Sequence, residues 1–172
     1  MNIECNVFTS FTKFLQNYRN MTKNYNEKLS GDYIRGLVEG QGSFGFTASG
    51  PAGNKTPAFQ LKMSINNKKL LENIKDYLGL KNKIYEYHYP GKEKSRRESQ
   101  VLLIVRDFNQ LRGIIIPFFY KKLKGYKGKQ FIEWLENIGK DPYISDRFKS
   151  LYGLCKLGMY DTHPNFINKF KD

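Results

Sequence analysis

The stretch Ile34-Arg-Gly-Leu-Val-Glu-Gly-Gln-Gly42, followed by Ser43-Phe44, decides how the rest of the chain is interpreted. The pattern predicts a short helix that starts at an Asp32 cap and ends at the glycines at 40 and 42. Gly36 and Gly40 are four residues apart, so they lie on one helix face. Two small residues so placed let a second helix approach at backbone distance, and a contact between two copies is then two-fold symmetric.

Two pairs of strands are predicted after this helix. SFGFTAS (43–49) and AFQLKMSI (58–65) each alternate apolar with polar residues, and the Gly/Pro-rich residues 50–57 between them indicate a hairpin loop. KIYEYHY (83–89) and SQVLLIV (99–105) form the second pair, joined by the charged loop PGKEKSRRE. Alternation of this kind is typical of strands that are half-buried in a sheet.

Helical spacing separates and follows the strand pairs. NNKKLLENIKDYLGL (66–80) predicts a helix with a Gly79 C-cap, and Asp107 caps an apolar helix that runs up to Pro117. GYKGKQFIEWLENIG (125–139) and a segment of moderate helicity follow. The order αββαββα, with C-terminal helices, indicates an α+β fold over residues 31–172. Residues 1–30 are interpreted as an N-terminal arm or appended helix.

One face of the sheet is expected to bind a partner, because the helices of such a unit cover only the other face. If the alternation holds, a set of polar and aromatic side chains points to the uncovered face and reads base edges or remains solvated. The set comprises Ser43, Thr47, Ser49, Gln60, Lys62, Ser64, Lys83, Tyr85 and Tyr87. The loop cations Lys92, Lys94, Arg96 and Arg97 are expected to contact phosphate or solvent.

The charge balance identifies the class of partner. The chain has 29 Lys and Arg against 16 Asp and Glu, a formal net charge of +13, which favours a polyanion. Basic residues scattered through patterned elements favour nucleic acid over a membrane surface, and no apolar run is long enough to span a bilayer. Cys5, Cys155, His88 and His163 have no zinc-site spacing. Free thiols in a chain without a secretory signal fit a reducing compartment. An organelle-encoded product, in a mitochondrion or chloroplast, would need no transit peptide.

The motif at 34–44 resembles the LAGLIDADG motif of homing endonucleases in its GLVEGxGSF form, and the resemblance extends from about Tyr33 to Ile138. It implies a homodimer with a curved four-stranded antiparallel sheet in each subunit. It also implies double-stranded DNA with a palindromic or pseudo-palindromic site. Divalent Mg²⁺ or Mn²⁺ would bind at position 41, with Gly40 beside it, near the scissile phosphates. Outside such a motif, Gly36 and Gly40 would merely loosen a short helix.

Gln41 departs from the family pattern, since the family has an acid at this position. An amide oxygen is a neutral ligand, so we expect weak metal binding and impaired cleavage. The change is isosteric and affects one position of an otherwise matching motif, which favours a deliberate substitution over natural decay. Glu39, the other motif acid, is not the metal ligand in the family. It is expected to be a solvated or capping carboxylate.

Two further positions follow from the resemblance. Lys127 falls at the family's active-site lysine, where it would organise the attacking water and offset transition-state charge, or else contact backbone phosphate. Met63 stands where the family often has a glutamine that contacts waters of the site. The predicted function is therefore sequence-specific DNA binding with metal-dependent cleavage, impaired by Gln41. The alternative is a non-cleaving relative, such as a maturase that binds intron RNA.

Overall fold

The computed structural model describes residues 29–50, 53–89 and 98–167, apart from the side chains of Ser49 and Ile167. The expected arm therefore lies outside the described residues, except for Leu29 and Ser30. The elements are α1 (Gly31–Gln41), β1 (Gly42–Ser49), β2 (Asn54–Ser64), α2 (Lys68–Leu78), β3 (Ile84–Tyr87), β4 (Gln100–Val105) and α3 (Phe108–Gln110). The predicted order αββαββα is confirmed.

The remaining helices follow β4. α3 continues through a π-helix (Leu111–Ile115) into α4 (Ile116–Phe119), so the apolar helix extends two residues beyond Pro117. α5 (Gly125–Lys140), α6 (Asp146–Lys156), α7 (Met159–Thr162) and α8 (Pro164–Ile167) complete the described part. Asp107 caps α3 as predicted, because its carboxylate accepts from the Gln110 N–H at 2.9 Å. None of the described helices is long and apolar enough to cross a membrane.

The four strands form one sheet in the order β1-β2-β4-β3, with every pairing antiparallel. β2 starts at Asn54 rather than Ala58, so the turn after β1 is shorter than the expected loop. Pro57 fits inside this strand because β4 pairs only with residues 59–64 of β2. At the other hairpin, residues 90–97 lie outside the described part of the chain.

The described helices cover one face of the sheet, and the hydrophobic core lies between that face and the helices. Phe44 of β1 contacts the rings of Phe59, Phe131 and Trp134, with centroids 5.4, 4.8 and 5.4 Å away. Buried aromatic rings in tilted or edge-on contact contribute more than their buried area alone. α5 and α6 pack so closely that a Cβ at Gly139 would lie 2.1 Å from the Tyr152 ring.

The first helix is capped differently from the prediction. Ser30 is the N-cap of α1, and its hydroxyl accepts from the Tyr33 N–H at 3.1 Å. Asp32 instead lies in the first turn and pairs with Arg35 at 2.7 Å. The Arg35 guanidinium is buried over the Phe118 ring, 4.6 Å from its centroid. These contacts hold α1 against α4, with its C-terminal end leading directly into β1.

Candidate nucleic-acid interface

The end of α1 is the centre of the candidate site. Gln41 is the last residue of the helix and is exposed, and Gly42 follows as an extended C-cap that begins β1. Gly42 is itself buried, and a Cβ there would lie 2.5 Å from a methyl group of Val38. A glycine is therefore needed for the chain to turn from helix to strand at this point. The turn leaves the Gln41 side chain at the surface.

Lys127 lies in the first turn of α5, and its ammonium group donates to the Gly42 carbonyl at 2.9 Å. The two residues are 85 positions apart in sequence, so the fold alone brings them together. Trp134, on the same helix, donates its indole N–H to the Gly45 carbonyl at 2.8 Å. Two hydrogen bonds to successive parts of β1 thus fix α5, and the predicted catalytic lysine lies beside the residue that follows Gln41.

Glu39 connects the same two helices. Its carboxylate accepts a hydrogen bond from the backbone N–H of Lys124, the N-cap residue of α5. The carboxylate also lies at the positive end of the α5 dipole, where negative charge is stabilising. The structure therefore agrees with a capping role for Glu39. The helix that it caps is α5, whereas Glu39 itself belongs to α1. Sequence spacing offers no signal for this contact.

The uncovered face of the sheet carries the predicted strand residues that the structure describes. Ser43, Lys62, Tyr85 and Tyr87 are exposed, and Gln60 is half-buried. The remaining predicted members are Thr47 and Ser64, which are half-buried, and Lys83, which is exposed just before β3. The cross-strand register places Ser43 opposite Gln60. It places Lys62 opposite Leu102 of β4, which also pairs with Tyr85 of β3. These side chains therefore form one continuous surface.

Some of the predicted binding residues fall outside the described part. The loop cations Lys92, Lys94, Arg96 and Arg97 belong to residues 90–97, and the Ser49 side chain is not described either. The strand residues that the pattern missed are Gln100, Leu102 and Ile104 of β4, which alternate with the buried Val101, Leu103 and Val105. Within the apolar run 101–105 the sequence does not show which residues face the core, so no signal distinguishes Leu102 and Ile104.

The glycine face of α1 is open. Gly36 and Gly40 are both exposed, and a Cβ at either position would meet no other atom within 4 Å. Gly36 lines a hollow together with Arg35, Lys122 and Lys124. The two glycines therefore leave room for close approach of another backbone, and their contact with a second copy stays a prediction.

Comparisons with known proteins give the family. A model of the LAGLIDADG endonuclease family matches residues 34–138, more than half of the chain. The chain belongs to this family. No curated protein sequence matches it.

Several similar solved structures are LAGLIDADG homing endonucleases or meganucleases bound to DNA. They include I-LtrWI bound to target DNA (31% identity, TM-score 0.52, 76% of this chain and 42% of that chain). I-SmaMI bound to cleaved DNA is 27% identical, with a TM-score of 0.52 over 77% of this chain and 46% of that chain. I-GzeII in complex with its DNA target is 24% identical and shares the fold (TM-score 0.54, 78% and 44%). The chain spans less than half the length of each.

The residues at the end of the LAGLIDADG helix do not by themselves suit a divalent cation. Mg²⁺ and Mn²⁺ require anionic oxygen, whereas Gln41 offers a neutral amide and Gly40 only a backbone carbonyl. The nearby carboxylate of Glu39 is engaged by the start of α5. Among the described residues, no three His, Cys, Asp or Glu side chains form a group that could hold a metal ion.

Met63 does not reach the uncovered face. Its side chain is buried at 8% exposure among the core residues, on the opposite side of β2 from Gln60 and Lys62. The position at which the family often has a glutamine therefore points into the apolar layer here. A methionine suits that layer, because its flexible side chain fills irregular space.

Proposed function

We propose that the protein is a homodimeric, sequence-specific double-stranded DNA-binding protein of the LAGLIDADG family, with cleavage impaired by Gln41. The observation that carries the proposal is the hydrogen bond from Lys127 to the Gly42 carbonyl at 2.9 Å. It joins the predicted catalytic lysine to the end of the motif helix. The polar face of the sheet starts at that same point, with Ser43, the next residue of β1.

DNA binding would use the uncovered sheet face. Side chains in rows across a sheet can enter the major groove and form hydrogen bonds with base edges, as an amide does with adenine. Lysines on and beside this face, together with the net charge of +13, supply the attraction to phosphate that dominates affinity. The DNA-bound relatives support this proposal.

Two copies would be required for a complete site. One chain supplies one four-stranded sheet, and it spans 42–46% of the length of the similar DNA-bound chains. The open glycine face of α1 offers the surface on which a second copy would pack, with the two helix ends side by side. Each helix end would then present Gln41 toward the DNA backbone.

Gln41 would leave binding intact and slow cleavage. Its amide preserves the size of a glutamate side chain but removes the negative charge that a hard cation needs. Lys127, held beside Gly42, would remain in position to contact the phosphate region. We further propose that the protein is organelle-encoded and acts on an intron-homing site.

The test is a cleavage assay on a target selected from a random duplex library, with Mg²⁺ or Mn²⁺. We expect the unaltered protein to bind the target and cut it very slowly. Gln41→Glu should cleave it, and chelation of the metal should abolish that activity. Gln41→Ala is the matched control, because it changes the same side chain without supplying a carboxylate.

If the chain and the Gln41→Glu variant bind RNA more tightly than DNA and neither cuts, the endonuclease assignment is wrong. The maturase-like alternative then takes its place. Cleavage by Gln41→Glu but not by Gln41→Ala, at matched occupancy of the target, supports the proposal.

A further inference from the structure

The centre of the uncovered sheet face contains apolar side chains among hydrogen-bonding ones. In β4, Val101, Leu103 and Val105 are fully buried, while Gln100, Leu102 and Ile104 alternate with them and are half-buried. Successive side chains of a strand point to opposite faces, so the second set lies on the uncovered face. Among the described residues, the hydrophobic core does not pack against Leu102 or Ile104.

The register gives each apolar side chain a defined neighbour. Ile104 pairs across the sheet with Gln60 of β2. Leu102 pairs with Lys62 on one side and with Tyr85 of β3 on the other. Each apolar group is therefore within one strand spacing, about 4.8 Å, of a side chain that can form a hydrogen bond with a base. An apolar group at such a position can add a contact that polar neighbours cannot make.

We propose that Leu102 and Ile104 read thymine by packing against its C5-methyl group in the major groove. This inference rests on the proposed function, and it names bases within the target. The thymine methyl is the one apolar group that the base pairs of ordinary DNA display in the major groove, and aliphatic side chains contact it in known complexes. Gln60 beside Ile104 adds an amide suited to the adenine of the same A·T pair.

The strand geometry also gives a spacing. Side chains two residues apart on a strand are separated by about 6.6–6.8 Å. This distance is roughly two base steps, since bases along one strand rise about 3.4 Å each. Each half-site should therefore contain two methyl-bearing positions about two base pairs apart. A patch that reads methyl groups has no counterpart in RNA, whose deep major groove excludes side chains and whose uracil lacks the methyl.

The experiment measures affinity for the selected target and for duplexes in which deoxyuridine replaces thymine at one position at a time. Only the methyl group changes, so pairing and the hydrogen-bonding edge of the base are kept. We expect two positions in each half-site at which binding weakens about fourfold, the effect of burying one methyl-sized group. Because this measurement uses the unaltered protein, it does not depend on any variant folding.

Variants then assign each position to a side chain. Leu102→Ala should abolish the thymine-deoxyuridine difference at one position and leave the other, and Ile104→Ala should do the reverse. Leu157→Ala is the matched control, the same substitution at an exposed leucine outside the sheet, and it should leave both differences unchanged. Thermal unfolding checks that each variant is folded.

The outcomes separate this inference from the function on which it rests. If the protein binds duplex DNA specifically but tolerates deoxyuridine at every position, the thymine assignment is wrong and DNA binding stands. If the differences survive both alanine variants, the methyl effect arises elsewhere and the assignment to β4 is wrong. A chain that binds no specific duplex overturns both proposals.

Discussion

Gln41 and Lys127 differ in how the structure constrains them. Gln41 is exposed at the end of α1, so substitution there changes the chemistry without disturbing any packing. Lys127 is part-buried and donates to a backbone carbonyl, which limits the positions its ammonium group can take. An ammonium group held in place costs little reorganisation when charge develops nearby, and this is the condition for electrostatic stabilisation of a transition state.

Lys127→Met, made in the Gln41→Glu background, should lower the single-turnover cleavage rate on the order of a hundredfold, as removal of one preorganised donor does. Affinity should change much less. Lys129→Met is the control, because Lys129 is an exposed lysine in the same helix turn. A loss of affinity equal to the loss of rate would show that Lys127 contacts the phosphate backbone and has no separate role in catalysis.

At the scale of elements, Glu39 joins the motif helix to the helix that carries Lys127. The N-terminal N–H groups of a helix have no partners within the helix, so an acceptor from outside stabilises them. Here the acceptor comes from α1 and satisfies the N-cap residue Lys124 of α5. The position of Lys127 therefore depends on a contact made by another motif residue, three positions before Gly42.

Glu39→Ala should destabilise the protein by about 1 kcal/mol, the usual effect of losing a capping side chain. It should also slow cleavage in the Gln41→Glu background, because α5 loses one of its attachments to the site. Thermal or urea unfolding measures the first effect. Glu136→Ala is the control, since Glu136 forms an exposed pair with Lys140 on the same helix and such pairs contribute little. Equal stability of the two variants would rule out the capping role.

The whole molecule is organised by two surfaces of opposite character. The sheet face is polar and basic with an apolar centre, and on α1 the space beside Gly36 and Gly40 is open. The first surface suits a polyanion, and the second suits a copy of itself. Both surfaces adjoin the end of α1, so a dimer formed through the glycines would bring two sheet faces and two Gln41 residues together.

Gly36→Leu or Gly40→Leu should convert a dimer into a monomer in light scattering. A Cβ at either position meets nothing within the chain, and leucine favours helix over glycine, so the monomer should fold normally. Gly153→Leu is the control, since a Cβ at this glycine of α6 also meets nothing within 4 Å. An unchanged dimer in both motif variants would show that the interface lies elsewhere.

The symmetry of the dimer should appear in its target. Each sheet would read one half-site, so the selected consensus should be a palindrome or nearly one. Two sheets along the groove would cover on the order of two helical turns. Selection from a random duplex library, followed by sequencing, measures both properties. A consensus without two-fold symmetry, recovered with a proven dimer, would contradict the proposal.

Much of the architecture was determined by local patterns in the amino-acid sequence. Alternation predicts β1 and β2 because one side of each strand is apolar, and the Gly79 C-cap is confirmed by a φ of 67° that glycine adopts without strain. The motif at 34–44 led to the family, which the match over residues 34–138 confirms. These features depend on neighbours in sequence, so sequence suffices for them.

Other features were decided only by tertiary structure, because they join residues far apart in sequence. The face that Leu102 and Ile104 occupy follows from the pairing of β4 with β2, since an unbroken apolar run has no visible polarity of its own. The cap that Glu39 supplies and the bond from Lys127 to Gly42 each span 85 positions. Such contacts depend on how helices pack against the sheet, and this packing produces no periodic pattern in the amino-acid sequence.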